Sequence, residues 1–348
     1  MPEAAVTVPV TVLTGFLGAG KTTLLNRLLR RQELAGAAVL INEFGEIGLD
    51  HLLVERLDED TVLLNAGCLC CTVRGDLVRV LRGLEPRAAA GEVRRVLIET
   101  TGLADPAPIL HTLMAEAAIA VRYRLDGVVT VVDAVNAPAQ MDAQFEAVRQ
   151  VAVADRLVLT KTDLAGAAAV AALIARLRRL NPAAPLLTAV RGDIEPATLL
   201  DCGLFDASGK IADVKAWLDA EAFGPEHDHA HHHPDVNRHD ARIHAFCLTW
   251  EAPLHWQGVG TCLEMLIATR GENLLRVKGL LNLVGQDRPV AIHGVQHLFH
   301  EPVLLEAWPP GDTRHSRLVF VTRDLSRETV KQGLSAFEKA AAASAGPD

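Results

Sequence analysis

Short apolar runs recur along the chain up to about position 200, and most of them contain almost no polar residue. The runs occupy positions 6–13, 37–41, 61–64, 95–98, 127–132, 157–159 and 184–189. Because they do not alternate between apolar and polar side chains, they are typical of strands buried on both faces of a parallel sheet. Stretches with helical spacing lie between them, at 21–31, 76–84, 137–150 and 165–180. This alternation predicts a doubly wound, mostly parallel α/β domain.

The pattern changes between positions 221 and 240. That segment contains the run EHDHAHHHPDVNRHD and nothing that could form a core, so we predict a linker there. Beyond it, strands are predicted at 243–250, 274–284, 290–299 and 317–321, and helices at 255–269 and 326–342. These elements predict a small α+β domain with one antiparallel sheet and helices on one face. The expected organisation is a first domain at 1–220, a linker at 221–240 and a C-terminal domain at 241–348.

The composition is that of an ordinary globular protein, with 49% hydrophobic and 22% charged residues. The formal net charge of −9 predicts a surface that repels phosphate backbones, which argues against nucleic acid as the main partner. No segment resembles a membrane span or a secretory signal, so we expect a cytoplasmic protein that has no membrane partner. Thiols in that location stay reduced, and clustered cysteines are therefore expected to be metal ligands or redox groups.

The sequence GFLGAGKT at positions 15–22 matches the complete P-loop pattern G-x-x-x-x-G-K-[ST], between a predicted strand and a predicted helix. Its glycines let backbone N–H groups turn toward nucleotide phosphates, and the helix N-terminus adds its positive end. Lys21 is predicted to contact the β- and γ-phosphates, and Thr22 to bind Mg²⁺. The residues expected to bind the nucleotide here are Gly15, Gly18, Ala19, Gly20, Lys21, Thr22 and Thr23. The alternative is a glycine turn with a chance lysine, which the flanking elements disfavour.

A carboxylate that could polarise the magnesium ion follows the fourth apolar run. Glu99 comes directly after that run, and Gly102 stands where the backbone must approach a γ-phosphate. An acid in this position could also be a solvated strand end, but its place in a P-loop protein favours the magnesium role. The predicted catalytic residues are therefore Lys21, Thr22 and Glu99. The sequence NEFGEIGLD at 42–50, with two glycines and three acids, suits a switch loop that responds to the γ-phosphate.

A second nucleotide motif, TKTD at 160–163, ends a later predicted strand and is close to the guanine-reading pattern N-K-x-D. Asp163 can accept hydrogen bonds from the N1–H and the exocyclic amine of guanine, a donor pair that adenine lacks. The aliphatic stem of Lys161 can pack across the base while its ammonium stays near solvent. Thr160 replaces the asparagine, so one contact to the base or to the P-loop is expected to be weakened or lost. A charged loop is the alternative, and the order of the motifs favours GTP over ATP.

Three cysteines lie within four residues, in the sequence GCLCC. Cys68, Cys70 and Cys71 follow a predicted strand and precede a helix expected to begin near Thr72, whose N-terminus would lower the pKa of the thiols. Thiolates suit Zn²⁺ and also Co²⁺. A tetrahedral site needs four ligands, and this loop supplies three. Glu46 could be the fourth ligand, or the fourth position could stay open for metal transfer. The incomplete ligand set favours an exchangeable metal. A buried cysteine loop and a redox pair are the alternatives, although a disulfide between adjacent cysteines would be strained.

The other cysteines and histidines give weaker signals. The isolated cysteines are predicted to be core residues: Cys202, Cys247 and Cys262. The linker histidines are predicted to collect divalent metals weakly, with a solvated tether as the alternative; they include His229, His231 and His233. A further group is expected on one strand with a partly buried face: His293, His297 and His300. Arg276 and Lys278 are expected to form a basic side of another strand, to which we assign no chemistry.

Taken in order, the motifs resemble those of the CobW-type metallochaperone GTPases. The similar segments are GFLGAGKTTLLN, INEFGE, CLCC, ETTG and KTD, followed in the C-terminal part by RVKG, QHLFHEP and SRLVF. The resemblance implies low-turnover GTP hydrolysis with Mg²⁺, coupled to insertion of a transition metal into a client. Zn²⁺ is the expected metal, with Co²⁺ as the alternative. The expected partner is a client metalloprotein or a cofactor-biosynthesis enzyme, and a homodimer is a further expectation.

The spacing of the loops suggests a mechanism as a hypothesis. A γ-phosphate would order the loop at 43–50, and the neighbouring strand leads to Cys68, so the nucleotide state would alter the geometry of the metal ligands. By reciprocity, metal binding would change nucleotide affinity by the same factor. Two alternatives stay open: a metal-regulated switch that binds partners without delivering metal, and a P-loop kinase or ATPase with an incidental thiol loop.

Overall fold

A computed structural model describes residues 7–42, 61–64, 72–202, 242–309 and 311–345. The chain forms two compact units. Several predicted features lie outside the described residues: the switch loop with Glu46, the thiols of Cys68, Cys70 and Cys71, and the linker with His229, His231 and His233.

Seven strands of the described residues form a parallel sheet in the first unit. They are β1 (Val8–Gly15), β2 (Ala37–Asn42), β3 (Thr61–Leu64), β4 (Arg95–Glu99), β5 (Tyr123–Asp133), β6 (Arg156–Thr160) and β7 (Leu186–Ala189). Their order is β3-β2-β4-β1-β5-β6-β7. The chain thus extends outward from β1 on both sides, which confirms the doubly wound architecture. This topology brings the carboxyl ends of β1, β4 and β5 together at the centre of one edge, where such sheets bind ligands.

Helices pack against this sheet. They are α1 (Lys21–Leu29), α2 (Thr72–Ala89), α3 (Ala107–Ala115), α4 (Ala117–Ala120), α5 (Ala137–Ala143), α6 (Phe145–Ala152), α7 (Ala167–Leu180) and α8 (Pro196–Leu199). In α1 the buried leucines Leu24, Leu25 and Leu28 recur at helical spacing and join a core that includes Val39 and Val158. The apolar stripe of α1 thereby fixes the helix that begins at the P-loop lysine.

The second unit contains an antiparallel sheet. Its described strands are β8 (Ile243–Trp250), β9 (Leu274–Leu283), β10 (Gln286–Val295), β11 (Leu298–Phe299), β12 (Val303–Leu304) and β13 (Ser316–Arg323). The order is β11-β10-β9-β13-β8, with β12 paired to β10. Two helices, α9 (Trp256–Arg270) and α10 (Arg327–Ala345), bury Val259, Leu263, Val330 and Leu334 in the same core as Phe320 of β13. This arrangement confirms the predicted α+β architecture.

Two predicted elements are interrupted. The helix expected at 137–150 is divided between α5 and α6, because Gln144 has an extended backbone (φ −132°, ψ 119°) and a new helix begins after it. The strand expected at 290–299 ends at Val295, because Gln296 has φ 52° and starts a turn. His297 therefore lies in that turn, and the three histidines do not share one strand. Arg276 and Lys278 of β9 are buried rather than forming a basic surface.

Candidate nucleotide and metal site

The P-loop connects the carboxyl end of β1 to the first turn of α1. Gly15 has φ 140°, and a Cβ there would lie 2.3 Å from the carbonyl oxygen of Val131, so only glycine fits. Gly20, with φ 95°, precedes the helix directly. The buried Lys21 ammonium donates hydrogen bonds to the carbonyl oxygens of Gly15 (2.9 Å) and Phe16 (3.3 Å). These bonds hold a positive charge against the loop, as binding of an anionic phosphate requires.

The Thr22 hydroxyl and the Glu99 carboxylate lie together beside the loop. Parallel pairing of β1 with β4 sets Leu13 opposite Glu99, which brings the end of β4 next to the P-loop. Thr22 Oγ1 donates a hydrogen bond to Glu99 Oε1 over 2.8 Å. Hydroxyl and carboxylate oxygens are the hard donors that Mg²⁺ prefers, so the donor set fits a magnesium ion. Thr23, the next residue, is exposed in the first turn of α1.

The carboxyl end of β6 is tied to the P-loop by Thr160. Its buried hydroxyl donates a hydrogen bond to the carbonyl oxygen of Ala19 over 2.7 Å. Thr160 Oγ1 also lies 3.3 Å from the carbonyl oxygen of Val132. The shorter threonine therefore does make a contact with the P-loop in place of asparagine. Asp163, three residues further on, is exposed, as an acceptor for a bound base would be.

The Lys161 ammonium contacts two groups of the protein, and 34% of the side chain is exposed to solvent. Its Nζ donates to the carbonyl oxygen of Gly18 (2.8 Å) and to Asp133 Oδ2 (2.7 Å). The backbone of Lys161 has φ 56°, which turns the residue sharply at the end of β6. The lysine thus bridges the phosphate loop and the end of β5, and its stem spans the region between them.

Asp133 is a site residue that the motif analysis missed. It is buried at the end of β5 and accepts hydrogen bonds from Lys161 Nζ, from Asn136 Nδ2 (2.7 Å) and from the backbone N–H groups of Val135 (2.8 Å) and Asn136 (3.2 Å). Burial alone would raise the pKa of Asp133, but these hydrogen bonds outweigh it and hold the pKa below its ordinary value. An acid directly after an apolar run, as at Glu99, is the sequence signal that could have found it.

The segment after Glu99 forms a tight turn, and residues 101–104 are named the Gly102 turn. The backbone N–H of Ala104 donates to the carbonyl oxygen of Thr101 over 3.1 Å. A Cβ on Gly102 would lie 2.5 Å from the backbone nitrogen of Leu17, so the turn lies directly against the P-loop. Gln150 of α6, which the sequence analysis did not single out, donates to the carbonyl oxygens of Gly102 and Ala104.

Among the described residues, no group of three or more His, Cys, Asp or Glu side chains could hold a metal ion. Cys202, Cys247 and Cys262 are free and buried, which confirms them as core residues. Burial raises the pKa of the Cys262 thiol to about 11, so it stays protonated at neutral pH. None of the helices in this part of the chain combines the length and the apolar character that crossing a membrane requires.

Two family models match most of the chain. Residues 9–188 match the CobW/HypB/UreG nucleotide-binding domain, and residues 243–338 match the cobalamin synthesis protein cobW C-terminal domain. The zinc chaperone YjiA of Escherichia coli is 34% identical over 337 residues, which cover 95% of this chain and 99% of that protein. The zinc chaperone CobW of Pseudomonas aeruginosa is 30% identical over 360 residues, covering 94% and 90%.

A solved structure agrees with these matches over nearly the same length. The crystal structure of zinc-bound YjiA GTPase from Escherichia coli has a TM-score of 0.68 to this chain at 31% identity, and the match covers 95% of this chain and 99% of that one. The fold, the two family models and the order of the motifs agree. The chain therefore belongs to the CobW/HypB/UreG family and carries the CobW C-terminal domain.

Proposed function

We propose that the protein is a GTP-hydrolysing metallochaperone that carries zinc, with cobalt as the alternative metal. The observation that carries this proposal is that β3, the strand that leads to the cysteine motif, ends at the same edge of the parallel sheet as β1, which leads to the P-loop. The cysteine motif begins four residues after Leu64, the last residue of β3, and Cys71 directly precedes α2. β3 and α2, the two described elements that flank the motif, belong to the same compact unit as Lys21.

The nucleotide chemistry follows from the residues at this edge. Lys21 would bind the β- and γ-phosphates, while Thr22 and Glu99 would hold Mg²⁺, which neutralises the charge on the phosphates when bound. Asp163 would read guanine, with the stem of Lys161 against the base. Gly102 would offer backbone N–H groups to the γ-phosphate. The relatives named zinc chaperones and the zinc-bound YjiA GTPase support both the nucleotide and the metal.

The metal would be cargo rather than a permanent part of the fold. Cys68, Cys70 and Cys71 would bind it as thiolates, which the N-terminus of α2 stabilises by its positive end. Glu46 would be the fourth ligand in the nucleotide state that holds the metal, and it would move away from the metal in the other nucleotide state. The nucleotide state would thus set the metal affinity. His229, His231 and His233 would collect metal ions for this site. The partner would be a client metalloprotein or a cofactor-biosynthesis enzyme in the cytoplasm, and we include a homodimer in the proposal.

Anaerobic zinc titration against a competing chelator tests the coupling. We expect the zinc affinity of the wild-type protein to differ at least about tenfold between the GDP-bound form and the form bound to a non-hydrolysable GTP analogue. Changing Cys68, Cys70 and Cys71 together to serine should abolish tight binding and leave GDP affinity unchanged, since P-loop residues bind the nucleotide. The parallel replacement of His229, His231 and His233 by glutamine should retain tight binding.

Two results would contradict the proposal. Unchanged zinc affinity in the triple serine variant would remove the thiols as the cargo site. Equal zinc affinity in the two nucleotide states would leave a nucleotide hydrolase that merely holds a metal. A titration that compares the affinities for GTP and ATP tests which base is recognised. A protein that reads guanine through Asp163 should bind ATP far more weakly.

A further inference from the structure

The buried Gln150 amide contacts two carbonyl groups of the Gly102 turn. We propose that Gln150 is a positioning residue, which holds this turn in the orientation that a γ-phosphate needs. The inference rests on the proposed GTPase function and adds a residue that lies outside every nucleotide motif of the chain. It would make helix α6 part of the machinery that distinguishes GTP from GDP.

The hydrogen bonds are specific to the NH₂ group of the amide. Gln150 Nε2 donates to the carbonyl oxygen of Gly102 over 3.2 Å and to that of Ala104 over 3.0 Å. Because both neighbours are acceptors, only a donor group can face them. Gln150 is 1% exposed, and its Oε1 has no hydrogen-bond partner within the described part of the chain. The two bonds from Nε2 therefore set the orientation of the amide.

These bonds also orient the backbone N–H groups of the turn. The described peptide bonds are all trans, so a carbonyl group and the N–H that follows it point in opposite directions. With the Gly102 carbonyl directed toward Gln150, the N–H of Leu103 must point away from α6. Hydrogen-bond donors that already have the right orientation can bind the negative charge of a phosphate without a free-energy cost of reorganisation.

The turn lies between α6 and the P-loop. The Cα of Gly102 lies close to the backbone of Leu17, where a Cβ would come within 2.5 Å of the Leu17 nitrogen. The carbonyl oxygen of Leu17 accepts a hydrogen bond from Gln140 Nε2 of α5 over 3.2 Å. One glutamine on each of two consecutive helices thus holds one of the two loops. The pair sets the spacing between the P-loop and the Gly102 turn.

Helix α6 is a firm support for this contact. The carbonyl oxygen of Gln150 accepts a hydrogen bond from Thr130 Oγ1 of β5 over 2.7 Å, and Val148 and Val151 are buried. The neighbouring Arg149 pairs with Asp105, whose Oδ1 accepts from the backbone N–H of Ala107 at the start of α3. A displacement of the turn would break these bonds or would move α6 with it.

The test compares Gln150→Met with Gln144→Met in the full-length protein. Methionine keeps the length of the side chain and removes both donors, whereas Gln144 is an exposed glutamine between α5 and α6. GDP has no γ-phosphate, so Gln150→Met should bind GDP as the wild type does. Its affinity for a GTP analogue with Mg²⁺ and its single-turnover hydrolysis rate should fall about three- to tenfold. Gln144→Met should change neither quantity.

A second variant, Gln150→Glu, provides a pH-dependent signature. An ionised carboxylate would repel both carbonyl oxygens, while the protonated acid can donate to one of them. The GTP-analogue affinity of Gln150→Glu should therefore rise as the pH falls from about 8 to 6, because burial favours the protonated form. The terminal phosphate of the nucleotide also titrates near this range, so the rise should be larger for Gln150→Glu than for Gln150→Met or the wild type.

Two outcomes would overturn the inference. Equal losses of GDP and GTP-analogue affinity would show a defect that is unrelated to the γ-phosphate, and no loss of either affinity would show that the turn does not depend on Gln150. Failure of the wild-type protein to bind either guanine nucleotide would instead contradict the proposed function, so the two failures can be told apart. Thermal unfolding of each variant separates loss of fold from loss of position.

Discussion

Two side chains at the end of β6 hold consecutive carbonyl groups of the P-loop. Thr160 Oγ1 donates to Ala19, and Lys161 Nζ donates to Gly18. The loop that we propose to read the base is therefore bonded directly to the P-loop. Asp133 completes this arrangement, because its buried carboxylate neutralises the Lys161 ammonium and has four hydrogen-bond donors around it.

Replacing Thr160 by valine tests the residue-scale contact. Valine has nearly the same shape but no hydroxyl, so the carbonyl oxygen of Ala19 would lose its buried donor. We expect the free energy of unfolding to fall by about 1–3 kcal/mol, and GDP affinity to fall with it. Urea denaturation and nucleotide titration measure the two effects. The control is Thr162→Val in the same loop, and equal behaviour of the two variants would contradict the role of the Thr160 hydroxyl.

At the scale of elements, a buried ionic network joins three strands at the opposite edge of the sheet. The pairing of β1 with β5 shifts register between Val10 and Thr11, and Asp126 occupies the resulting bulge. Asp126 Oδ2 accepts hydrogen bonds from Thr11 Oγ1 (2.8 Å), Arg95 (2.8 Å) and the backbone N–H of Asp201 (3.0 Å). Arg95 also pairs with the Asp201 carboxylate. One carboxylate thus joins β1, β4, β5 and the segment that follows α8.

Replacing Asp126 by alanine should be strongly destabilising. The change removes the fully buried partner of the Arg95 side chain, which is 14% exposed, and leaves it only the more exposed Asp201 carboxylate. Breaking a buried ion pair by removing one partner costs about 3–5 kcal/mol. The matched control is Asp193→Ala, which removes an exposed ion pair with Arg31 and should cost less than about 1 kcal/mol. Similar denaturation midpoints for the two variants would contradict this role of Asp126.

Some elements of the fold could be predicted from the sequence, and others could not. The apolar runs identified the seven strands of the parallel sheet, because strands covered on both faces must be apolar throughout. The strand β5 is longer than its run, since Asp126 is polar yet buried in a bulge. The break at Gln144 has no glycine or proline to mark it. Gln150 could not be recognised because its partner carbonyl groups are backbone atoms 48 and 46 positions away, and no side-chain pattern records them.

At the scale of the whole molecule, each unit has a hydrophobic core of its own. Leu24, Leu40 and Leu159 are fully buried in the first unit, and Phe320, Leu274 and Leu281 in the second. Lys21 of the P-loop, the Thr22–Glu99 pair and the Gly102 turn all belong to the first unit. A ligand that binds there adds its binding free energy to the folded state of that unit.

Calorimetry with and without GDP and Mg²⁺ should therefore distinguish the units. We expect two unfolding transitions, because each core can be lost separately, and GDP should raise the midpoint of only one. At a ligand concentration one hundred times Kd the added stability is about 2.7 kcal/mol, which is large enough to separate the transitions. Lys21→Ala should abolish the GDP-dependent rise of that midpoint, and it should leave the midpoint of the other transition unchanged. A single transition that moves as a whole with GDP would show instead that the two cores unfold together, and that nucleotide binding stabilises the C-terminal domain as well.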